Sequence, residues 1–123
     1  MIDWQDLLLV PFVMGGDDPL AGLDCWGLAR EVNRRVGIVL HERPQVADPQ
    51  ATTERAISAL VRVPRATMIG DMLFSDPECL GYPSHVATLV TPGWAISTCK
   101  KHGPHAAPLS RVVCTHGVWR VAG

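Results

Sequence analysis

Neither charge sign dominates this 123-residue chain: 11 Lys and Arg face 12 Asp and Glu, a formal net charge of -1. A protein that grips a polyanion without sequence-specific help needs a basic surface, so nucleic-acid binding is not expected. Arg30, Arg34 and Arg35 make a small basic cluster, which on a helix reads as a solvated face. The chain also lacks a C-x-x-C pair; its four cysteines stand at 25, 79, 99 and 114. That irregular spacing gives little basis for a disulfide framework and favours free thiols in a reducing cytoplasm. A zinc site built from Cys79, His85, Cys99 and His102 lacks a tight ligand pair to found it, so no metal or cofactor is expected. Gly15-Gly16 lies in a loop without the Lys and Ser/Thr of a phosphate loop, which argues against nucleotide binding.

Long apolar runs are missing too. The opening "MIDWQDLLLV" starts acidic and its apolar run is broken by Pro11, so it does not read as a secretory signal. No stretch reaches bilayer-spanning length. There is no internal repeat and no low-complexity segment. What is present is an ordinary globular balance of 47% hydrophobic and 19% charged residues. The length suits one domain, residues 1–123, with one core.

The pattern changes halfway along. Residues 2–9 have weak helical character, stopped by Pro11. "PFVMGGDDPLAGLD" reads as a glycine-rich loop. Cys25, Ala29, Val32 and Val36 then recur at helical spacing, with Asp24 as N-cap and Gly37 as stop. A polar loop follows from residue 41. A second helix is expected from about Pro49 or Thr53 to Val61, ended by Pro64. Residues 72–74, 85–90 and 94–100 are β-rich, and Pro92-Gly93 fits the centre of a type II turn. A last strand is expected at 117–121. Helices first and an antiparallel sheet second make an α+β order.

"GLDCWGL" at 22–28 sets a cysteine at a helix start. There, unpaired N–H groups and the positive dipole end favour thiolate, whereas a neighbouring aspartate opposes it unless it is turned to a cap or a cation. A nucleophilic thiol also needs a base within reach, normally an imidazole. His85 is the histidine that begins a strongly apolar strand; His41, His102, His105 and His116 read as loop residues. Cys79, Cys99 and Cys114 read as structural or incidental, and the four tryptophans as core or interface.

Taken in order, "PFVMGGDDPLAGLDCWGLAREV", "IGDMLF" and "SHVATLV" resemble the NlpC-type papain-like cysteine peptidases, and "DCWGL" is similar to their phage tail-tip branch. The resemblance implies a papain-like fold in which N-terminal helices pack on an antiparallel sheet. It implies Cys25 as nucleophile, His85 as general base and a third polar residue on the next strand, a position that alternation assigns to Ser97. His102 takes that place only if its loop folds back. The family's usual histidine is absent at 97 and its usual upstream tyrosine is Phe12. With Asp24 and Trp26, Phe12 is the residue set expected to meet substrate. The implied activity is endopeptidase cleavage of peptidoglycan stem peptides through an acyl-enzyme. The implied partners are that peptide and other tail or hub proteins. Localisation is expected in the host cytoplasm during assembly and then at a particle's tail tip. A catalytically inactive structural subunit of the tail tip is the competing expectation.

Overall fold

The computed structural model describes residues 2–44 and 47–122. The polar loop expected from residue 41 includes Gln45 and Val46, which lie outside the described residues. The N-terminal segment forms a 3-10 helix, Gln5–Leu9. The glycine-rich segment is not all loop: β1 (Asp17–Asp18) and β2 (Gly22–Leu23) pair antiparallel within it. Helix α1 then runs Cys25–Arg35 and helix α2 runs Pro49–Ser58. Six further strands form a six-stranded antiparallel sheet. They are β3 (Leu60–Val63), β4 (Met72–Ser75), β5 (His85–Thr91), β6 (Trp94–Cys99), β7 (Gly103–Pro108) and β8 (Val118–Val121), in the order β3-β8-β4-β5-β6-β7.

Helix α1 starts and stops where the sequence indicates. Asp24 sits in extended backbone and its Oδ1 accepts the Gly27 N–H at 2.8 Å, an N-cap. At the other end Gly37 takes φ +79°, its N–H bonds Arg34 O, and the Ile38 N–H bonds Asn33 O. That pair of bonds is the Schellman arrangement, which needs a left-handed residue after the cap. The basic cluster on this helix is ion-paired, not merely solvated. Arg30 meets Asp17 at 2.9 Å, Arg34 and Arg35 share the buried Glu31, and Arg35 also holds Asp6 at 2.6 Å. The last pair straps the N-terminal 3-10 helix to α1.

Two expectations about the second half need correction. Helix α2 stops at Ser58, not Val61, and residues 60–63 become an edge strand paired with β8. Leu60, Val61 and Val63 are apolar, two of them β-branched, and β8 offers them a ladder that the helix does not. Strand β7 falls where a loop was expected, and it carries His105. The Pro92-Gly93 turn does form, with Gly93 at φ +83°, as a type II turn requires.

Alternation divides the sheet between two layers. Met72, Phe74, Val86, Val90 and Ile96 turn towards the helices, where Leu28, Ala29, Val32 and Trp26 are buried against them. Leu73, Ala87, Ala95 and Val118 face the other way, covered by Ala66, Leu109 and Val112 from the connecting segments. Among the described residues, no helix is long and apolar enough to cross a membrane.

The Gly70-Asp71 pair fixes the approach to β4. Gly70 has φ +99° and lies against the Asn33 side chain, which reaches Gly70 O at 3.1 Å. Asp71, 1% exposed, takes Arg120 on both carboxylate oxygens at 2.7 and 2.8 Å and the Thr67 and Met68 N–H groups at 3.0 Å. Burial alone pushes this carboxyl up, but the Arg120 guanidinium and the two N–H groups outweigh it and hold it below the usual carboxylate range. A depressed folded value adds stability above the unfolded carboxyl pKa of about 3.9, and that stability is lost as pH falls through the folded value. Asp71→Asn should cost about 2–3 kcal/mol at neutral pH by leaving Arg120 without its partner. In urea unfolding, the gap between variant and parent should close as pH falls through the lowered folded value of Asp71; a gap that stays constant down the whole acid range would refute this account.

Candidate active site

The glycine-rich loop lies directly on the first turn of α1. A Cβ on Gly27 would stand 2.1 Å from Gly16 O, so glycine at 27 lets the loop backbone press against the helix. Gly16 O in turn accepts the Asp24 N–H at 3.1 Å. Asp24 then ties three segments together: Oδ1 caps Gly27, Oδ2 accepts the Gly15 N–H at 3.1 Å, and Arg43 pairs with Oδ2. Both carboxylate oxygens of this buried residue are therefore engaged within the protein.

Cys25, the first residue of α1, is half-buried and lines a pocket of about 60 Å³ together with Trp26, Arg43, Phe74 and His85. That is room for one small side chain, not a length of peptide. A wider polar groove of about 290 Å³ adjoins it, sharing Trp26, Arg43 and Thr52 and continuing past Asp17 and Arg30. Trp26 forms the wall between the two. It is 6% exposed, its Nε1 donates to His41 O at 3.2 Å, and its ring tilts against the His41 ring.

Burial pushes the Cys25 thiol up, because a desolvated site disfavours the anion. The Val86 backbone N–H works against this, Asp24 reinforces it, and the Arg43 guanidinium and the Trp26 N–H again favour thiolate; the balance leaves the thiol above its ordinary value. Burial and the nearby His105 both lower His85. The resting pair is thus a neutral thiol and a neutral imidazole. Such a pair reacts by general-base transfer as the sulfur attacks, not from a preformed ion pair. Among the described residues Cys25 and His85 share the pocket but form no hydrogen bond. The Cys25 backbone N–H has no partner among them either, and it is the helix-start donor available to a developing oxyanion.

The remaining expected residues divide. Ser97 is 7% exposed on β6, yet its Oγ lies 3.1 Å from His105 Nε2, and no bond to His85 is present. His102 sits in the exposed turn before β7. Phe12 is bridged to Leu23 and lines neither the pocket nor the groove. His105, bonded to Ser97, is the neighbour of the site that sequence reasoning misses, since Gly103-Pro104 conceals its strand. Its place was recoverable from the three-residue connection after Cys99, which sets 105 opposite 97.

Helix α1, with Cys25 at its N-terminus, packs on an antiparallel sheet in which His85 begins β5, and this is an α+β domain with a thiol and an imidazole lining one pocket. The NlpC/P60 family pattern matches residues 9–122, and the chain belongs to that family. No curated protein matches the sequence. Among solved structures, a Staphylococcus aureus protein described as similar to a lipoprotein of the NLP/P60 family superposes with a TM-score of 0.64 at 23% identity. The match covers 97% of this chain and 40% of that one, so the present chain spans less than half of that protein's length. The NlpC/p60 domain of the peptidoglycan hydrolase SagA superposes with a TM-score of 0.57 at 24% identity, over 97% of this chain and 91% of that one. At these identities the two structures establish the shared fold.

Alkylation by iodoacetamide, followed at Cys25 by peptide mass spectrometry, should show a midpoint above the free-thiol value of about 8.5. Arg43→Ala removes the cation that favours thiolate and should move that midpoint higher still. A downward shift in the variant would contradict the charge balance described above.

Proposed function

We propose that this domain is a cysteine endopeptidase that cuts the peptide stem of peptidoglycan. The observation that carries the reading is Cys25 at the start of α1, sharing its pocket with His85 while the Val86 and Trp26 N–H groups favour its thiolate. His85 takes the Cys25 proton as sulfur attacks the scissile carbonyl carbon. The oxyanion meets the Cys25 backbone N–H, and the imidazolium returns its proton to the leaving amine. Water, deprotonated by His85, then releases the acyl group and restores the thiol. The small pocket takes one side chain beside the scissile bond, and the polar groove carries the rest of the peptide.

The finer reading is that the domain acts at the tail tip of a phage or tail-like particle, opening the wall locally with tail or hub proteins as neighbours. Its support is the "DCWGL" segment. A second reading, a structural subunit with a silent site, draws on one observation: Ser97 is bonded to His105 rather than to His85.

Purified peptidoglycan separates these readings. The wild type should release new peptide termini, and Cys25→Ala and His85→Ala should each cut the rate by at least about a thousandfold. The kcat/KM profile should be flat between an acid limb below about 6.5, set by the lowered His85, and an alkaline limb above about 8.5, set by the raised Cys25. Equal, background-level release by wild type and Cys25→Ala would leave the structural reading standing.

A further inference from the structure

Ser97 and His105 face each other directly across β6 and β7. Ser97 Oγ lies 3.1 Å from His105 Nε2, and His105 Nδ1 lies 3.2 Å from Gly103 O. A carbonyl only accepts, so Nδ1 carries the proton; in a neutral imidazole Nε2 is then the acceptor. The Ser97 hydroxyl therefore donates to His105 and keeps its lone pairs for a donor on its other side.

Strand β5 lies on that other side. Thr88 pairs with Ile96, so one step along, alternation turns Ala87 and Ser97 to the face away from the helices. His85, two residues before Ala87 and the first residue of β5, lies at the end of the strand, where it borders both this face and the Cys25 pocket. Ser97 and His85 are thereby diagonal neighbours, a backbone separation of about 7–8 Å that an imidazole and a hydroxyl together span. His105 is near enough to the His85 ring to disfavour its protonated form, as expected of two imidazoles flanking one serine.

We propose that His105 is a positioning residue for His85, acting through the Ser97 hydroxyl, so that the third polar group of the site is a serine–histidine pair spread over two strands. The proposal rests on the reading of His85 as the base for Cys25. When His85 takes the thiol proton, its far N–H donates to Ser97 Oγ, whose own proton is already committed to His105 Nε2. A lone serine has a free hydroxyl rotor and fixes nothing. With His105 bound behind it, the serine presents only lone pairs, which selects one His85 tautomer. Catalytic hydrogen bonds are often long in the resting enzyme and tighten with substrate; the resting His85–Ser97 contact is longer than a hydrogen bond, yet the Ser97 lone pairs still favour an N–H on the near side of the ring.

The test pairs two readouts on wild type, Ser97→Ala, His105→Ala, His105→Gln and the double alanine variant. Ring-nitrogen NMR of 15N-histidine-labelled protein at neutral pH should show one dominant His85 tautomer in the wild type. Ser97→Ala and His105→Ala should scramble it. His105→Gln, whose Oε1 replaces the Nε2 acceptor, should retain it. On a soluble stem peptide, each alanine variant should lose about tenfold in kcat with KM within about twofold, less than loss of a buried charged orienting group would cost. The double variant should lose no more than the worse single one, because the two act as one chain. An unchanged His85 tautomer in His105→Ala, or losses that multiply in the double variant, overturns the proposal. If wild type and Cys25→Ala are equally inactive on the peptide, the peptidase reading fails, while the NMR comparison still decides the positioning role.

Discussion

The Asp24 carboxylate is the contact on which the arrangement of the site depends. Its Oδ1 caps the start of α1, its Oδ2 holds the Gly15 N–H, and Arg43 reaches it from the segment after α1. Three stretches that share no secondary structure converge on one buried charge. A buried carboxylate is tolerable only when it is paired and hydrogen-bonded, and here each partner also lines the groove beside the pocket. Arg43 lines it, Gly15 belongs to the loop pressed on Gly27, and Gly27 lies in the first turn of the helix that presents Cys25. The electrostatic requirement of the aspartate and the placement of the thiol are therefore met by the same geometry.

This arrangement also limits what Asp24 does to its neighbour. An unpaired anion one residue from Cys25 would oppose thiolate strongly. Arg43 lies on the same carboxylate and acts on the sulfur with the opposite sign. What remains is desolvation, which holds the thiol neutral, set against two backbone N–H groups that welcome the anion. A site of this kind keeps its nucleophile protonated at rest and forms thiolate as the proton moves to a neutral His85.

The local signals were legible wherever one residue type dictates one geometry. Asp24 and Gly37 bounded α1, Pro92-Gly93 made its turn, and His85 opened its strand because each places a single demand on its own backbone. Helix periodicity hid the switch at Leu60, since only the distant β8 makes residues 60–63 a strand. The arginines on α1 looked solvated for the same reason: Asp6 and Asp17 reach Arg35 and Arg30 from segments without helical signal. Ser97 was identified by alternation, but its partner was not, because proline and glycine around His105 read as loop. Pairings between distant segments are the information that periodicity does not contain.

Those same prolines fix which edge of β7 faces β6 and so which residues, His105 among them, pair inward. Proline has no N–H to give to a ladder, so Pro104 and Pro108 belong where that group would point away from β6. Alternation then turns the N–H and C=O of His105 inward, towards Ser97, with which it is paired. Two of the three outward positions carry proline and cannot donate to another chain, while His105 and Ala107 between them pair inward with Ser97 and Ala95. A residue on an edge strand would ordinarily be a poor choice for fixing an imidazole. Here the composition that disguises the strand as a loop confines its pairing to β6, and the exposed His105 ring is held from both nitrogens, by Ser97 and by Gly103 O.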